Sequence, residues 1–170
     1  NGRVVDYVSG SGSTKLLFKY TVQAGDTSTD LDYVATNSLA LNGGTITDAA
    51  GNNATLTLAT PGDGNAGSLA HGDAIVIDTI DPVFGIAVSS AGAVINEVED
   101  AATAGVATVT AENGASWSVL LTGQAGSVTK TGTGTGSSQA VQLTEDNVTT
   151  LGEGAVTVSG SATDTAGNIK

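Results

Sequence analysis

Lys15-Leu16-Leu17-Phe18-Lys19-Tyr20-Thr21-Val22 decides the class of the fold. In an extended chain successive side chains point to opposite faces, so Leu16, Phe18, Tyr20 and Val22 share one face. Lys15, Leu17, Lys19 and Thr21 share the other, which is the pattern of a half-buried strand. The same alternation returns in Ala54-Thr55-Leu56-Thr57-Leu58, with the leucines inward and the threonines outward. It returns again in Ser116-Trp117-Ser118-Val119-Leu120-Leu121, which places Trp117, Val119 and Leu121 on one face, and in Val156-Thr157-Val158-Ser159. Turn formers separate these runs, among them Asn42-Gly43-Gly44 and Asn113-Gly114. Helix signals are weak, with Asp100-Ala101-Ala102 the best place for a single turn. Many short strands between turns predict an all-β chain of sandwich architecture.

The composition narrows the function. Among 170 residues, 5 are Lys or Arg and 17 are Asp or Glu, a net charge of −12. Nucleic-acid binding needs clustered cations to meet phosphates, and this chain has only scattered ones. Anionic membrane surfaces are disfavoured for the same reason, and no apolar run is long enough to span a bilayer. With 0 Cys there are no disulfides, zinc-thiolate sites or thiol nucleophiles, and His71 is the 1 His available for imidazole chemistry. Paired carboxylates in a glycosidase need a cleft lined by aromatics, which make up only 4% here, so no enzyme is expected. The Thr131-Gly132-Thr133-Gly134-Thr135-Gly136 run has no following Lys and no helix, so it is a hairpin tip and not a phosphate loop.

Ile75-Val76-Ile77-Asp78-Thr79-Ile80-Asp81-Pro82 is a strand running into a short, stiff junction, because Pro82 fixes its own φ and holds Asp81 extended. The chain divides there into two β domains, 1–82 and 83–170. Thr47-Asp48-Ala49-Ala50-Gly51-Asn52 and Thr163-Asp164-Thr165-Ala166-Gly167-Asn168 repeat the motif T-D-x-A-G-N across that division. Only Ile169 and Lys170 follow the second copy, and few strands precede Leu16, so both domains are expected to lack strands at the chain ends.

An ordered series of motifs carries a resemblance. Tyr7-Val8-Ser9-Gly10-Ser11-Gly12, Phe18 to Asp26, Asp30-Leu31-Asp32-Tyr33, Ser38 to Ile46, Asp48 to Asn52 and Ile75 to Asp78 together resemble a bacterial immunoglobulin-like repeat. Such repeats fill large secreted adhesins, including the repeats-in-toxin type of Gram-negative bacteria. The second half resembles a more divergent copy at Val94 to Ala101, Trp117-Ser118 and Ala162 to Asn168. Family junctions often read Asp-Thr-Thr-Ala-Pro; Asp78-Thr79-Ile80-Asp81-Pro82 departs by a second carboxylate. The resemblance implies tandem immunoglobulin-like or cadherin-like sandwiches, stiffened by calcium, forming a stalk that is secreted or held at a bacterial cell surface and serves adhesion or biofilm formation. It also implies that the family's first strands lie upstream of Asn1.

Calcium takes six to eight hard oxygen ligands from loops, and several acidic loops offer them. Asp78 and Asp81 at the junction are expected to be met by Asp164 and Asn168, with Asp48 and Asn52 in the equivalent place in the first domain. A plain turn is the alternative for D-x-A-G-N, with Asp accepting backbone N–H groups. Asp26, Asp30 and Asp32 form a second cluster, whose mutual repulsion calls for a cation or solvent. Glu97, Glu99 and Asp100 form a third, read either as ligands or as the charge that blunts an edge strand. Partners are expected to be neighbouring repeats of the same chain or neighbouring subunits, with a surface ligand on a host cell or biofilm also open. Two alternatives to the stalk are a filament assembled by strand donation and a module that binds glycan, ice or protein. The last would call for exposed aromatics or a flat threonine array. Thr55 and Thr57 face outward together, but no second strand continues them in register.

Overall fold

The computed structural model describes residues 2–89 and 105–170, together with the backbone of Val94–Ile95. Among these residues it is built of antiparallel strands with one short helix. The chain divides into two compact units, Asn1–Ile80 and Asp81–Lys170. That division falls inside the Asp78–Pro82 segment at which the sequence parts the domains, and Pro82 is buried within the second unit.

The second unit carries the apolar core. β5 (Phe84–Val88), β7 (Ala107–Ala111) and β10 (Ser138–Val141) form one antiparallel sheet in the order β10-β7-β5. β8 (Ser116–Thr122), β9 (Ser127–Thr133) and β12 (Thr157–Thr163) form another, in the order β12-β8-β9. β6 (Val94–Ile95) pairs with β11 (Gly154–Ala155). Alternation decides which residues are covered: Ala107, Val109 and Ala111 from one sheet, and Trp117, Val119, Leu121 and Ala162 from the other, join a single cluster. Val156 and Val158 pack against its margin, as their alternation predicts.

α1 (Glu145–Leu151) closes the cluster with Val148 and Leu151. It was not anticipated from the sequence, yet its start is written there. Thr144 accepts a hydrogen bond from the Asn147 amide, and the Asn147 side chain accepts one from the Thr144 amide. This reciprocal cap, with Glu145 and Asp146 in the first turn, offsets the unpaired amides and positive end of a helix too short to persist alone. The one-turn helix expected at Asp100–Ala102 lies outside the described residues.

The Thr131–Gly136 run is corrected. Thr131, Gly132 and Thr133 are ladder residues of β9, not a free tip. Gly134 is buried where a Cβ would lie 2.1 Å from the Glu112 carbonyl oxygen, so only glycine lets the two backbones pass.

The first unit is organised differently. Its ladders are short: β1 (Tyr7–Ser9) with β2 (Leu17–Phe18), and β3 (Thr27–Ser28) with β4 (Ile77–Asp78). The long strand expected over 15–22 is thus reduced to Leu17–Phe18, and Leu16, Phe18 and Val22 remain exposed. Ala54–Leu58 forms no ladder either, although Leu56 and Leu58 are half-buried and Thr55 and Thr57 exposed, as alternation requires. Among the described residues of this unit, Ala70 and Asp26 are the ones fully covered.

Candidate functional site

With so little apolar burial, carboxylates tie the first unit together. Asp26 sits in the turn after Gln23 and is 8% exposed. Its Oδ1 accepts from Arg3 Nε at 2.6 Å and lies 2.5 Å from Arg3 Nη2. Its Oδ2 accepts from the Tyr20 hydroxyl at 2.7 Å and the Gln23 amide at 2.8 Å. The Arg3 guanidinium and then the Tyr20 hydroxyl hold the Asp26 carboxyl down to about 2, and the same bond raises Tyr20.

Asp32 repeats the device. Its Oδ1 accepts from the Tyr33 and Leu69 amides, and its Oδ2 from the Gly62 amide and the Ser68 hydroxyl. Desolvation pushes this carboxyl up, but the donors, led by Ser68 and Gly62, outweigh it and leave it lowered. A carboxylate offers about four acceptor positions, and at Asp26 and Asp32 all are taken by protein donors. Protein donors therefore offset the charge of Asp26 and Asp32. Asp30 is less engaged, accepting from the Ile75 amide at 3.3 Å.

The two T-D-x-A-G-N motifs fold identically. Asp48 Oδ1 accepts from the Ala50 and Asn52 amides at 2.9 and 2.8 Å, and Oδ2 from Asn52 Nδ2 at 2.8 Å. Asp164 Oδ1 accepts from the Ala166 and Asn168 amides at 2.9 Å each, and Oδ2 from Asn168 Nδ2 at 2.8 Å. Gly51 and Gly167 supply the left-handed step at φ 87° and 95°. Each motif closes a miniature hairpin, bridged at Thr47–Asn53 and at Thr163–Ile169. The Asn side chain is the leading cause lowering each Asp, Asn52 for Asp48 and Asn168 for Asp164. These are Asx-type turns in the plain sense offered as the alternative to a cation, with one acceptor position on Oδ2 left over.

At the junction, Asp78 Oδ1 accepts from the Ile80 amide at 3.0 Å. In the second unit the hairpin that carries Asp164 also carries Lys170, whose Nζ lies 4.0 Å from Asp81 Oδ2. Both side chains are more than half exposed, so this pair contributes little. Glu97, Glu99 and Asp100 lie outside the described residues. Among the described residues no three carboxylate or imidazole groups converge, and no helix is long and apolar enough to cross a membrane.

A second feature escaped the sequence reading. β8 reads S-W-S-V-L-L-T, β9 S-V-T-K-T-G-T and β12 T-V-S-G-S-A-T. In each, the first residue and every second one after it point away from the core. All of these are Ser or Thr except Leu120, which is 41% exposed. The registers align them: Ser116 stands between Thr133 and Thr163, and Ser118 between Thr131 and Ser161. These six residues, with Trp117 and Gly132 between them, line a shallow depression of about 450 Å³. Among the described residues none of their hydroxyls bonds to the protein, whereas lower on the face Ser127 donates to Thr122 at 3.2 Å. The signal was legible as Ser or Thr at every second position in three runs. The strand pairing that puts them in register was not.

Comparison with protein-family models, with curated proteins and with solved structures finds no match to this chain.

Proposed function

We propose that this chain is a structural stalk module. It consists of two immunoglobulin-like β-sandwich repeats in tandem, extending a secreted or surface-held adhesin and taking calcium at its acidic loops. The reading rests on one observation: each of the two successive units carries a T-D-x-A-G-N hairpin with the same set of hydrogen bonds. Repetition of a local device along a chain is what arrays of like modules produce. Two sheets whose inner faces share one cluster, as in the second unit, support the sandwich form. No catalytic role is proposed.

The donor chemistry sorts the calcium ligands. Asp30, which accepts one long amide bond, and Asp81, which faces Lys170 at 4.0 Å, fit a hard cation best. Asp48 and Asp164 have one position to offer, shared with Asn52 and Asn168, while Asp26 and Asp32 would have to give up bonds that hold their loops. At tenfold its dissociation constant, calcium would stabilise the unit that binds it by about 1.4 kcal/mol, or roughly 5–10 °C in that unit's melting temperature.

Thermal melts and small-angle scattering with calcium and with EDTA test this. Higher melting and a narrower distribution of dimensions with calcium, both lost in Asp81→Ala, are expected. Identical melts and scattering in the two conditions would reject the calcium part of the reading.

A further inference from the structure

We infer that the outward face of the β12-β8-β9 sheet is a binding surface for a neutral polysaccharide. This does not rest on the stalk reading or on calcium.

Charge comes first. The chain carries −12, yet among the described residues the outward positions of these three strands hold no ionisable side chain; Lys130, at an inward position of β9, bonds to Asn147 instead. An anionic polymer would be repelled by the chain as a whole, and a cationic one would find no carboxylate here to pair with. A neutral ligand meets neither obstacle.

Hydrogen-bonding capacity comes second. Each Ser or Thr hydroxyl both donates and accepts, as sugar hydroxyls do. The six around the depression have no protein partner to surrender among the described residues. Strand pairing sets them about 4.8 Å apart across the sheet and about 6.8 Å apart along it. A long hydroxylated polymer can engage such a fixed, repeating lattice at several points without first ordering it. Leu120 adds an apolar contact midway along the face for the ring carbons.

Size comes third. Three strands by four rows give a footprint of roughly 300 Å², against about 800 Å² per partner in a stable protein interface. The face is too small to hold a second copy of the chain or another folded protein. It suits a few sugar residues of a continuing polymer.

The test is affinity electrophoresis of the full chain in native gels containing hydroxyethyl cellulose or dextran, both uncharged. Retardation by at least one of them is expected. Thr131→Val with Thr133→Val keeps the strand shape and removes two hydroxyls, and should weaken retardation roughly tenfold with the melt unchanged. Ser118→Lys, which sets a charge and a long side chain in the depression, should abolish it. Thr55→Val, an exposed threonine of the first unit, should change nothing. Failure of both polymers to retard the chain overturns the proposal. So does retardation that survives Ser118→Lys in a folded variant. Adsorption to ice with no retardation by either polymer, or dimerisation reversed by Leu120→Lys, would assign the face to ordered water or to a second copy and equally overturn it.

Discussion

Replacing Gly132 with alanine tests whether the second unit has the packed core described above. Gly132 is paired with Trp117 across the β8–β9 ladder, on the inward face. A Cβ there would lie 2.4 Å from Trp117 Cζ2, 2.6 Å from Cε2 and 3.0 Å from Nε1, where ordinary contact begins near 3.4 Å. The indole must therefore move by about an ångström, and it is 8% exposed within the core cluster, so its neighbours must move with it. Overpacking of this kind costs about 1–3 kcal/mol. The smaller entropy loss of alanine in a strand returns roughly 0.5–1 kcal/mol. The net expectation is a loss of about 1–2 kcal/mol, or roughly 5–15 °C in the melting of this unit. Trp117 is the 1 Trp of the chain, so its emission reports the displacement directly. Trp117→Phe removes the atoms in conflict and forfeits no hydrogen bond, because the indole N–H has no partner among the described residues. The double variant should therefore be more stable than the sum of the single effects by roughly 1 kcal/mol, since contacting residues couple. Unchanged melting and emission in Gly132→Ala, or strict additivity in the cycle, would refute the placement of Trp117 over Gly132.

Asp26, held near 2 in the folded chain, lies below its unfolded value of about 3.9. Its contribution is therefore complete above about pH 4 and is lost as pH falls through about 2. Asp26→Asn should lower stability at neutral pH and flatten the acid decline of the first unit, read from its amide shifts during titration; a decline as steep as in the parent chain would count against the Arg3–Asp26 node. Thr144→Ala, which removes the cap of α1, should cost about 1 kcal/mol and lower the melting of the second unit by roughly 4–8 °C. Asp48→Ala and Asp164→Ala should each speed hydrogen exchange at the two amides their Oδ1 accepts, Ala50 and Asn52 or Ala166 and Asn168, while leaving the other hairpin protected. Equal exchange in parent and variant would show that the carboxylates do not hold these turns.

Alternation in the sequence determined which class of structure forms and, in the second unit, which side of each strand is covered. Trp117, Val119 and Leu121 are inward because a strand has no other way to place them, and that holds whatever the strand pairs with. The T-D-x-A-G-N turns were equally legible, since their bonds close within five residues. Even the missed helix was local: Thr144 and Asn147 wrote its cap, and short apolar spacing at Val148 and Leu151 was too brief to stand out against strands.

Tertiary structure alone decided the rest. Whether Lys15–Val22 becomes a long strand depends on a partner segment, and the described chain gives it one only at Leu17–Phe18. Asp26 and Asp32 look in sequence like solvent-facing or cation-seeking charge; four of their donors, Arg3, Gly62, Ser68 and Leu69, come from 23 to 37 residues away. The hydroxyl face needs three strands in register, and register is a property of pairing between segments, set by hydrogen bonds that no single run of residues encodes. A periodicity can be read along one chain segment because it reflects the geometry of that segment's own backbone. A site made of several segments exists only once burial and backbone bonding have brought them side by side.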